Sequence, residues 1–226
     1  MLPPDVEALW VKYQEAERDR IRGLTLERLE TFIDRLLVES PHLWRRWALG
    51  VAASVSDDGN DLPVRFPLFR RVLLPALAEG VERHESGCAR WLAHFESLLY
   101  HCDQSAFPGG LRTAVALLRE AVQLDAGDAL ARRRLVERQA SYLDYTLHEL
   151  PAGVLYGHDG ATAEECEELL EFLTEFQAHV QILGEQEKYA DLIVDCRSHY
   201  NAYRDYLRAG CPHDSYDQFF ERCNGA

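Results

Sequence analysis

No apolar run in these 226 residues approaches the roughly 20 needed to cross a bilayer; "WALGVAASV" is among the longest. The opening "MLPPDVEALW" lacks a basic region followed by an apolar one, so no secretory leader is read there. Together these predict a cytoplasmic chain that does not engage a membrane. CxxC pairs, serine-centred elbows and phosphate-cradling glycine loops are all missing, which removes the commonest signatures of metal, acyl-transfer and phosphate chemistry. No alternating run is long enough to build a sheet, and "GVLYG" makes at most a short strand or a buried turn. Basic side chains are also scarce. Against 38 Asp and Glu there are 24 Lys and Arg, a net charge of −14.

That deficit is uneven. Residues 151–226 hold 5 basic and 15 acidic side chains, whereas residues 111–150 balance at 6 and 6. Binding a phosphate backbone draws on clustered cations, so nucleic acid is not expected as a direct ligand. A basic protein is the better-matched partner, because an acidic field speeds its encounter.

What is present is helical periodicity. Apolar positions recur at three and four residues in Val6, Leu9, Trp10 and Tyr13, with Gly23 expected to stop that helix. Thr25 is expected to cap a second helix with Leu29, Phe32, Ile33 and Leu36 inward, and Ser40-Pro41 to open a third. "SVSDDGNDLPVRFP" is the most loop-like segment. It places the one candidate internal boundary, at 56–66, in an otherwise single helical domain over 1–226. Further helices are predicted from Pro67 with a kink or restart at Pro75, from Gly87 to His101, and from Leu111 to Leu124. Others follow over 129–150, 163–183, 185–207 and 216–222. The fold class is all-α: about nine or ten helices in antiparallel hairpins, stacked as a solenoid or closed as an irregular bundle.

Six cysteines, Cys88, Cys102, Cys166, Cys196, Cys211 and Cys223, sit in a chain with ample core residues, so reduced and mostly buried thiols are expected. The nearest approach to a zinc set is Cys211 and His213 with Cys223 and His199, at spacings unlike those of true zinc sites.

The stretch "HELPAGVLYGHDGATAEECEEL" looks chemically rich but reads mainly as one helix ending and another starting. Leu150-Pro151 is a stop, and Thr162-Ala-Glu-Glu165 is a capping box followed by acids that suit a helix N-terminus. His158-Asp159 resembles the metal-binding dipeptide of HD-type phosphohydrolases. That pair works from a helix, however, and here it lies between Gly157 and Gly160, so a loop-tip role is expected.

"AVALLREAVQLDAGDALARRRL" resembles the second helix and following turn of a tetratricopeptide repeat. Ala114 and Leu118 fill the first two places, Ala121 supplies a further small contact, and "LDAGDA" gives the turn. Ala126 stands where that family prefers proline, and no 34-residue period runs through the chain. The resemblance, confined to about residues 111–135, implies a tetratricopeptide-like, partner-binding scaffold and carries over no binding residue.

Two site readings follow. Glu164, Glu167, Glu168 and Glu171 form an acidic face for a basic protein partner, in a non-catalytic adaptor, regulator or immunity-type inhibitor that needs no cofactor. The alternative is a metal-dependent helical-bundle hydrolase. Glu175 precedes His179 by four residues, as Asp195 precedes His199, so each pair shares a helix face and the two could converge between neighbouring helices.

Overall fold

The computed structural model describes residues 2–102, 112–150, 162–210 and 215–224. All their regular structure is helical, as expected. The chain forms two compact units, residues 1–131 and 132–226. The 56–66 segment lies inside the first.

The first unit opens with α1 (Pro4–Arg18), α2 (Arg22–Leu37) and α3 (Pro41–Asp57). Trp10 is their hub, with ring centroids 5.0 Å from Phe32, 5.1 Å from Trp47 and 5.2 Å from Tyr13. Gly23 does not end α1. The turn is made by Arg20 at φ 57°, and Gly23 already belongs to α2. Thr25 is not a cap either. Its buried hydroxyl lies 3.0 Å from both Ala16 O and Ile21 O, tying the end of α1 to the first turn of α2. The loop after α3 is pinned to α1: Tyr13 Oη donates to Pro63 O at 2.6 Å, and Arg65 pairs with Glu17.

Two of the expected helices are split. The one containing Pro75 runs as α4 (Phe66–Leu68), a π turn (Phe69–Leu73) and α5 (Leu74–Glu82). Proline has no N–H to give to the preceding turn, and the wider turn just before Pro75 absorbs that defect. The next breaks at Phe95 into α6 (Cys88–His94) and α7 (Glu96–Leu99), where the Phe95 ring is buried 5.5 Å from Phe69. In α8 (Ala114–Leu124), Thr113 caps the start through the Ala116 N–H, and the main packing partner is α6. The half-repeat that should precede it falls partly at 103–111, outside the described residues.

The second unit is built on α9 (Ala129–Glu149), which begins just before the division, with α10 (Ala163–Leu183), α11 (Ala190–Arg208) and α12 (Tyr216–Asn224). Both ends of α10 are sealed. Thr162 and Glu165 complete the capping box at 2.6 and 3.1 Å. At the other end Gly184 at φ 70° lets the Glu185 N–H return to Val180 O. The pairings Gln177–Arg197 and Glu167–Arg208 show α10 and α11 to be antiparallel. Leu169, Leu173, Phe176 and Val180 of α10 meet Cys196, Tyr200 and Tyr203 of α11 in one core.

Helix α9 and the residue just after it contribute to that core a seam repeating at four and three residues: Arg132, Val136, Gln139, Leu143, Thr146 and Leu150. All are buried, and every second member is polar. Among the described residues no helix is long and apolar enough to cross a membrane.

Candidate functional site

The acidic face is set by the register of α10. Burying Cys166, Leu169, Leu173 and Phe176 on one side turns Glu164, Glu167, Glu168 and Glu171 to solvent on the opposite side. All four expected residues therefore share one exposed strip. Glu167 is partly neutralised by Arg208 Nη2 at 2.5 Å. Among the described residues, no hydrogen bond or ion pair is seen for Glu164, Glu168 or Glu171.

The hydrolase quartet has a different fate. His179 lies between two groups: its Nδ1 is 2.9 Å from Arg132 Nη1, and its Nε2 is 3.6 Å from Glu175 Oε1. Arginine only donates, so Nδ1 must be the acceptor and the imidazole hydrogen sits on Nε2, toward the carboxylate. The lone pair a metal would need is thus directed at a buried guanidinium. His199 serves the docking of α12. Its Nδ1 is 2.9 Å from Tyr216 Oη, and its ring stacks on Phe220 with centroids 4.0 Å apart and planes within 6°. Burial lowers the His199 pKa, with Asp195 and Asp217 opposing. Asp195 itself is exposed.

Among the described residues no three His, Cys, Asp or Glu side chains gather as a metal-holding group, so Glu175, His179, Asp195 and His199 are not brought together as one. Cys211, His213 and the Cys223 side chain, and His158-Asp159, lie outside the described residues. Cys88, Cys102, Cys166 and Cys196 are free thiols in buried positions, as expected. Burial pushes Cys88, Cys166 and Cys196 up to about 11, which leaves them protonated and poorly nucleophilic near neutrality.

No motif in the sequence marks the polar members of the α9 seam as a set. Thr146 donates to Leu143 O at 2.8 Å, so its oxygen accepts from the buried Tyr200 hydroxyl at 2.6 Å. Gln139 is fully buried, and among the described residues neither of its amide atoms is hydrogen-bonded. The signal was the seven-residue interval between Arg132, Gln139 and Thr146, hidden because a charged, an amide and a hydroxyl side chain do not look like one face.

Compared with known proteins, the chain matches no family model, no curated protein and no solved structure.

Proposed function

We propose that the chain is a non-catalytic helical module that binds a basic protein through the acidic face of α10. The observation that carries this reading is the strip Glu164, Glu168 and Glu171, exposed and without partners among the described residues, beside the half-neutralised Glu167. Several arginines of the first unit, by contrast, are matched to carboxylates, including Arg35, Arg45, Arg65, Arg71 and Arg90. Surplus charge concentrated on one face steers encounter with an oppositely charged surface and sets its salt dependence. The hydrolase reading has no such support, since His179 is engaged by Arg132 and His199 by Tyr216 and Phe220.

The test is co-purification across a salt titration, repeated with Glu164, Glu167, Glu168 and Glu171 all changed to Lys. A partner held at low salt, released as salt rises and lost by the variant supports the assignment. Capture that ignores both salt and charge reversal overturns it.

A further inference from the structure

The first unit contains a cleft that the protein-binding reading does not use. It has a volume of about 460 Å³, inside the range of small-ligand sites. Leu43, Trp47, Val51 and Leu62 give it an apolar floor. The Trp47 ring is held from behind, edge-on to Trp10 at 5.1 Å and to Phe32 at 5.1 Å, so this floor is fixed in place.

Its polar edge has one sign. Arg46 and His42 line it, and none of its described lining residues is acidic, in a chain where acids outnumber bases 38 to 24. Arg46 is exposed and has no partner among the described residues. The adjacent Arg45 has the opposite fate, held by Glu79 at 3.1 Å and Glu85 at 2.6 Å. Between edge and floor stands Gly50, mid-helix in α3. A Cβ added there would meet nothing within 4 Å, so no crowding demands glycine, although glycine weakens a helix interior. What its missing side chain provides is open space in the cleft.

We infer that this cleft binds a small amphipathic monocarboxylate, its apolar body on Trp47 and its carboxylate on the Arg46 guanidinium. An apolar floor with one unspent cation selects a ligand that has both parts. A neutral apolar molecule would leave Arg46 unanswered, and a polyanion would leave the floor bare.

The experiment uses the full chain and two probes with the same apolar chain, sodium octanoate and 1-octanol, followed by amide and indole NMR shifts. Octanoate is expected to move the Gly50 amide and the Trp47 indole saturably at concentrations below ~10 mM. Arg46→Gln, a surface change that should fold normally, is expected to weaken octanoate at least fivefold and leave octanol unchanged. Gly50→Leu, checked for folding by circular dichroism, is expected to abolish the octanoate response. Absence of saturable shifts at Gly50 and Trp47 overturns the inference. So does equal binding of octanoate by the native chain and Arg46→Gln. Neither result touches the acidic face of α10.

Discussion

Single side chains in the second unit show how far a helical pattern can hide its contents. Gln139 occupies a core position of α9 with both amide atoms unpaired among the described residues, and burying such a group costs about 1–3 kcal/mol. Gln139→Met keeps the shape and removes the polar atoms, so urea unfolding should show a gain of about 1–3 kcal/mol. A loss would mean that the amide holds something essential. His199 gives a pH signature of defined sign. Its pKa is lowered by burial, so the unfolded chain binds its proton more readily than the folded one. Its contribution is intact above the unfolded value near 6.5 and declines as pH falls from there toward the lowered folded value. Stability measured from pH 7.5 to 5 should therefore fall more steeply for the native chain than for His199→Gln. Matching slopes would refute that role for His199. The histidine was visible in the sequence and its role was not, because a histidine four positions from an aspartate reads as a metal-ligand candidate. Phe220, stacked on its ring, lies far along the chain.

Helix boundaries were legible where they depend on a local hydrogen bond and obscure where they depend on tertiary contact. Thr162 and Glu165 lie three residues apart, and their reciprocal bonds formed as the motif requires. Thr162→Ala should lower stability by about 1 kcal/mol in thermal or urea unfolding. A change smaller than the error of the measurement would show that α10 is held by packing alone. The α1–α2 turn was unreadable for the opposite reason. An arginine in the left-handed region, here Arg20, advertises nothing, whereas Gly23 suggests a stop and instead lies inside α2. Thr25 had the composition of a cap and instead joins two helices through carbonyls nine and four residues upstream. The proline at 75 announced a disturbance, but its form, a π turn ahead of the ring, is a matter of packing.

For the whole molecule, composition spoke most clearly about class and charge. Helical periodicity without alternating runs sufficed for an all-α fold, and the acid excess of residues 151–226 reappears as the exposed strip on α10. The acidic residues of the candidate face were legible because amphipathic register alone decides which side of a helix meets water. The cleft beside Gly50 was not, because an empty volume has no residue to name it. The net charge of −14 also bears on stability, since self-repulsion among like charges opposes compactness and salt screens it. Raising sodium chloride from ~50 to ~500 mM should raise Tm by about 1–4 °C, despite weakening exposed ion pairs that contribute little individually. A falling Tm would show that the arginine pairs of the first unit outweigh the repulsion.

The four described thiols carry a practical consequence. Cys88 and Cys102 belong to one unit, Cys166 and Cys196 to the other, and each is shielded from reagents in the native state. Alkylation by iodoacetamide therefore has to wait for its own half to open. With Cys211 and Cys223 replaced by serine, mass spectrometry of the labelled peptides would time the breathing of each half separately, with reporters the chain already contains.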